Sequence, residues 1–174
     1  MILIAGVGNI FMGDDAFGSE VTRRLAERPA WPGVCIVDFG IRGLDLAFAL
    51  MDEYDATIIV DATLRGGEPG TIYVIDPDLS KLDDMAAATL DPHAMDPLRT
   101  LALARSMGAN LKNIRIVGCE PATFDPAAES GLSRNVDAAV DHAIDVIESL
   151  IQECFAVCEK NQGTGRTVSQ PRSG

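Results

Sequence analysis

The chain has 174 residues, 47% of them apolar, and a formal charge of -12 at neutral pH. That length fits one domain with a buried core, and the apolar content excludes general disorder. The acidity, with no basic cluster, excludes nucleic acid and anionic membrane as partners; it suits a metal cation or a basic peptide, or solubility alone.

No run approaches the ~20 apolar residues of a membrane span, and no basic segment precedes the N-terminal apolar run, so neither a span nor a signal peptide is expected. Cys35, Cys119, Cys154 and Cys158 lack the spacing of a disulfide framework and read as reduced thiols of a cytoplasmic protein.

In chain order, the apolar, β-branched run Ile2–Ala5 predicts a buried strand. It leads into GVGNIFMGDDAFG, Gly6 to Gly18. Glycines at 6 and 8 permit a tight turn and close approach to a ligand, as in a phosphate loop. Asp14 and Asp15 then stand where a phosphate loop avoids negative charge, so this turn suits a cation better than an anion. A helix is predicted over Ala16–Glu27 and a second strand over Val34–Phe39.

Asp38, which closes that strand, is where a dinucleotide-binding unit holds its ribose acid. The third glycine of that fingerprint is replaced by Phe11, and Asp14 and Asp15 would repel a pyrophosphate. The other reading of the loop is that Gly40 and Gly43 make it flexible and fit for contact with a peptide.

A helix follows over Leu44–Asp52, then strands over Thr57–Val60 and Thr71–Ile75. The linker DATLRGGEPG between them is too short for a crossover helix, so the fourth strand must run antiparallel. It ends near Asp76, at the foot of the parallel strands, and Pro77–Asp96 must climb back to their carboxyl rim. His93, near the end of that climb, is expected on the rim with Asp15 and Asp61. A helix over Pro97–Met107 leads down to a fifth strand, Ile114–Val117.

The last helix, about Asn135 to Cys154, carries one apolar stripe, Val136, Val140, Ile144, Ile147 and Ile151. No helix shows a second stripe, so a monomer is expected. The single folded domain spans 1–158, and the polar tail 159–174 is expected to be disordered.

Alternating strands and helices imply a sheet covered on both faces. Ligands of such sheets bind at the carboxyl ends of strands whose connections diverge. If the first and third strands are neighbours, Asp15 and Asp61 flank that crevice, and two carboxylates with the imidazole of His93 suit a borderline divalent ion such as nickel, zinc, cobalt or manganese. Taken singly, each has an ordinary structural explanation as well.

Glu120, in GCEPATF after the fifth strand, is a further rim carboxylate or a turn anchor beside Pro121. His142 reads as a surface residue of the last helix, and Cys119 as a buried, inert thiol. Cys154 and Cys158 are four apart on that helix, a weak metal signal without a second pair. Ser19 lacks a nucleophile elbow.

Together these motifs resemble the hydrogenase maturation endopeptidases, from Ile2 to about Ile151. GVGNIFMGDDAFG is similar to the family's opening motif, GCEP to its G-I-E-P, and SGLSRNVDAAV to its last-helix entry. The resemblance implies a three-layer α/β/α sandwich of the phosphorylase/hydrolase-like kind, with a five-stranded mixed sheet. It implies an aspartic-type endopeptidase that removes the C-terminal extension of a nickel–iron hydrogenase large-subunit precursor after nickel insertion. Asp15, Asp61 and His93 fall on the family's metal-ligand positions. The nickel would come with the precursor, and no organic cofactor is implied.

Asp38, Gly40 and Gly43 fall on a loop implied in precursor recognition, but this chain has Ile41 where the family pattern D-G-G-T-x-G has threonine. The other readings are a non-catalytic, metal-sensing module that docks on a nickel-loaded partner, and a nucleotide-binding enzyme.

Overall fold

A computed structural model describes residues 1–82, 96–125 and 131–163, with side chains as far as 156. The order is β1 (Ile2–Val7), a 3-10 turn (Gly13–Ala16), α1 (Phe17–Ala26), β2 (Val34–Gly40), α2 (Gly43–Ala49), β3 (Ala56–Ala62), β4 (Ile72–Ile75), α3 (Pro97–Ser106), β5 (Ile114–Cys119) and α4 (Arg134–Gly163). The sheet order is β2-β1-β3-β5-β4. Every pair is parallel except β4 with β5, so the short glycine-rich linker does force an antiparallel edge strand.

Period-two alternation sends β1 side chains into two cores. Ile2 and Ile4 join Phe17, Val21 and Leu25 of α1 and the α4 stripe Val136, Val140, Ile144, Ile147 and Ile151. Leu3, Ala5 and Val7 join Leu46 and Ala47 of α2 and Leu101 and Ala104 of α3. The result is a three-layer α/β/α sandwich, α1 and α4 on one face and α2 and α3 on the other.

α3 starts where Asp96 accepts from the Leu98 N–H at 2.9 Å and proline follows as the first helical residue. α4 runs on to Gly163, past the expected start of the tail; residues 164–174 lie outside the described residues, so the tail expectation meets no structure there.

Two features position the site. β1 and β3 are hydrogen-bonded neighbours whose chains leave in opposite directions, β1 through α1 to β2 and β3 toward β4. Their carboxyl ends therefore frame the crevice. The second feature is alternation along β3, which puts Ala56, Ile58 and Val60 in the α1/α4 core and turns Asp61 toward the α2/α3 side.

Candidate active site

The turn after β1 separates its two carboxylates by fate. Asp14 is fully buried. Its Oδ2 accepts from the N–H groups of Ala122 at 2.7 Å and Thr123 at 3.1 Å and from Ser133 Oγ at 2.9 Å. Its Oδ1 accepts from the Ser133 N–H at 2.6 Å. Asp14 thus ties the first loop to the segment after β5 and to the entry of α4, and its oxygens are engaged internally. The expectation that both carboxylates line a cation site is corrected for Asp14.

Asp15 is half-buried at the rim, with Oδ2 accepting from the Asn9 N–H at 2.7 Å. Burial raises its pKa above the ordinary carboxyl value, and the Asn9 hydrogen bond offsets only part of that. Gly8 makes the geometry possible: at φ 127°, a Cβ there would lie 1.8 Å from the Asp15 carbonyl oxygen.

Asp61 ends β3, one strand away, with 7% of its surface exposed. Burial holds its carboxyl well above the ordinary range; the charges of Asp15 and then Asp96 push in the same direction, against one hydrogen bond from the Ala62 N–H. The charge of Asp15, in the turn after β1, therefore reaches Asp61 at the end of the neighbouring strand β3. Asp96 joins them while capping α3; the Asp-Pro pair signals the cap in sequence, but its nearness to Asp61 is a tertiary fact. His93 lies outside the described residues. Among the described residues, no three His, Cys, Asp or Glu side chains converge as a metal cage.

Asp38 lies on the other face of the sheet edge, exposed, where Oδ1 accepts from Ser19 Oγ at 2.9 Å and from the Gly40 N–H at 2.9 Å. Gly40, at φ 54°, passes its carbonyl to the Gly8 N–H at 3.0 Å, so the loops after β1 and β2 are stitched together. Arg42 folds back, donating from Nη2 to the Asp38 carbonyl at 2.6 Å and from Nε to the Phe39 carbonyl at 3.1 Å. Gly43 opens α2 and donates to the Ile41 carbonyl at 3.1 Å. The expected flexible loop is instead held by side-chain and backbone bonds. Its rim position next to Asp15 is as expected.

Glu120, 3% exposed, anchors a loop and caps no helix. It accepts from the Arg65 N–H at 2.9 Å, the Gly66 N–H at 3.0 Å and the Tyr73 hydroxyl at 2.9 Å. Burial pushes its carboxyl up, but these donors outweigh it and the pKa sits below the ordinary value. The segment that follows Asp61 is thereby fixed to β4 and β5.

Burial first, then the Asp14 charge, pushes the Cys119 thiol up to about 12, so it is no thiolate nucleophile at neutral pH. His142 is exposed on α4, as read. Of the Cys154–Cys158 pair, only Cys154 has a described side chain. A cavity of about 760 Å³ opens beside Asp61, walled by Leu64, Arg65, Ile75, Leu82, Leu98 and Ile116.

A mixed sheet covered on both faces, with Asp15 and Asp61 at the carboxyl ends of its adjacent strands β1 and β3, defines a three-layer α/β protein with an acidic rim at its switch point. A model of the hydrogenase maturation protease family matches residues 19–150. A Methanocaldococcus jannaschii protein named for that family is 35% identical over 84% of this chain and 93% of its own. The hydrogenase 2 maturation protease of Escherichia coli K12 is 29% identical over 87% and 91%. The solved structure of the hydrogenase maturating endopeptidase HybD of Escherichia coli superposes with a TM-score of 0.71 at 28% identity, over 87% of this chain and 92% of that one. The chain belongs to the hydrogenase maturation protease family and is a peptidase.

Proposed function

We propose that this chain removes the C-terminal extension of a nickel–iron hydrogenase large-subunit precursor, and does so once nickel is in place. The observation that carries the reading is the pair Asp15 and Asp61. Two carboxylates, one in the turn after β1 and one at the end of the adjacent strand β3, each raised by burial and the second also by the first, gain most from a cation between them. The oxygen donors fit a borderline divalent ion, with His93 as the nitrogen donor that the family pattern supplies. Asp15, Asp61 and His93 would hold the nickel carried by the precursor, which supplies Lewis-acid polarisation of the scissile carbonyl.

The chain's own part is to orient. Asn9 fixes the Asp15 carboxylate, β3 fixes Asp61, and the cavity beside Asp61 receives apolar side chains around the cleavage point. Asp38, Gly40 and Gly43 contact the precursor on the β2 side. A rim carboxylate not engaged with the metal takes the proton of the attacking water. Coupling the cut to nickel makes the enzyme a checkpoint, since without the ion the acids repel each other and the site is incomplete.

The reading includes a cytoplasmic monomer. Cys35 and Cys119 are free thiols, and no helix among the described residues is long and apolar enough to cross a membrane.

The test is the intact mass of a purified large-subunit precursor after incubation with this protein, with and without nickel loading. Loss of a short C-terminal peptide from the loaded precursor alone is expected. Cleavage of the nickel-free precursor at the same rate would remove the checkpoint. Binding with no mass change would make the chain a docking module. Asp15→Ala and His93→Ala should each abolish cleavage while circular dichroism shows the fold retained; normal processing by both would overturn the ligand set.

A further inference from the structure

We infer that the apolar rim around the acid pair is the surface on which the folded body of the hydrogenase precursor docks, meeting at Leu64 the cleft that takes the cleaved segment. Nine large apolar side chains are exposed among the described residues. Scattered singly they would need no explanation. Five of the nine stand on the connections that leave the carboxyl ends of β1, β2 and β3: Ile10 and Phe11, Ile41 and Leu44, and Leu64. Those three strands are adjacent, in the order β2-β1-β3. At about 4.8 Å per strand, their loops share a rim about 10 Å across. Phe48 extends the patch, one helical turn beyond Leu44 on α2.

The exposures are large. Phe11 is 78% exposed, Leu64 68% and Ile41 61%, although the same loops bury Asp14 fully and hold Asp15 and Asp61 in place. A water-facing phenylalanine beside a built acidic site marks an interaction surface. Hydrogen bonds also hold the backbone beneath it. The Phe11 N–H donates to Asn9 Oδ1 at 3.0 Å, and the Gly8–Gly40 bond joins its loop to that of Ile41. Such a patch is presented rigidly, which lowers the ordering cost of binding.

The occupant follows from continuity. This inference rests on the reading that the substrate is a protein precursor. Any protein that brings its scissile segment to Asp15 and Asp61 must lay neighbouring surface on the loops that carry them. The rim therefore selects a partner with an apolar collar around its metal pocket, and Ile41 in the β2 loop is its most chain-specific contact.

The experiment compares the full chain with Phe11→Asp, with the double variant Ile41→Asp/Leu44→Asp, and with the control Val74→Asp, an exposed apolar position on the edge strand β4. Binding to purified nickel-loaded precursor and cleavage kinetics are measured on each, after thermal unfolding shows the fold intact. The expected result is a KM and a Kd raised roughly tenfold or more for both rim variants, with kcat unchanged and the control like wild type. Rim variants that bind and cleave like wild type, or a control that weakens equally, overturn the docking surface and leave the peptidase reading standing. Wild type that binds without cleaving, with binding lost in the rim variants, supports the surface and removes the cleavage reading. Wild type that neither binds nor cleaves overturns both.

Discussion

Asp14 and Asp15 are adjacent in the chain, yet burial and hydrogen bonding give them opposite work. Asp14 is saturated by donors from two distant segments, so Asp14→Ala strands three backbone N–H groups in a closed site. We expect a loss of about 3 kcal/mol in urea unfolding, against less than about 1 kcal/mol for Asp15→Ala. Asp61 has the reverse character. Its carboxyl is raised by burial and then by Asp15, so in the absence of a cation its ionised form opposes folding. A carboxyl whose folded pKa lies above its unfolded value stabilises below the unfolded value of 3.8, and that contribution is lost as pH rises through the window up to the folded pKa. Metal-free Asp61→Asn is therefore expected to be more stable than wild type at pH 7, by about 1–2 kcal/mol, with the gap closing as pH falls. Thermal unfolding with a chelator at a series of pH values checks this.

At the scale of the element, the rim is made of loops held by particular hydrogen bonds. Gly8→Ala would drive a Cβ into the Asp15 carbonyl and place alanine at φ 127°. It should cost about 3 kcal/mol and abolish cleavage, measured by unfolding and by precursor mass. Glu120 holds the segment after β3 through Arg65, Gly66 and Tyr73. Its folded pKa is lowered despite burial, because these donors favour the anion, so its contribution is present above 4.5 and lost as pH falls through the lower folded value. Glu120→Gln should be less stable than wild type at neutral pH and lose less on acidification, as read from urea midpoints at two pH values. The strand pattern was legible in sequence, down to the antiparallel edge, because a ten-residue linker cannot cross over. Helix ends were less so: α1 begins after a 3-10 turn, and α4 outruns its apolar stripe, since local bonding decides ends and periodicity does not.

The whole molecule separates stability from function. Two cores, one on each face of the sheet, hold the fold, while the carboxyl rim holds acids and exposed apolar side chains. Ile147→Ala, in the α4 stripe, should cost about 3 kcal/mol, whereas Ile41→Ala at the rim should change stability by less than about 0.5 kcal/mol. Parallel denaturation of the two variants checks the division.

From the sequence by itself one reads the layer architecture, the mixed sheet, the tight glycine turn after β1 and the family, because strand alternation, linker length and close-packed glycines are local constraints. Only the tertiary structure decides which acids are available. The donors that saturate Asp14 arrive from residues more than a hundred positions away, the charge that raises Asp61 comes from Asp15 across a strand pair, and Glu120 finds its donors on β4 and the loop after β3. Carboxylates look alike in a sequence; burial and the donors brought to them by folding set whether each one braces the chain or faces a substrate.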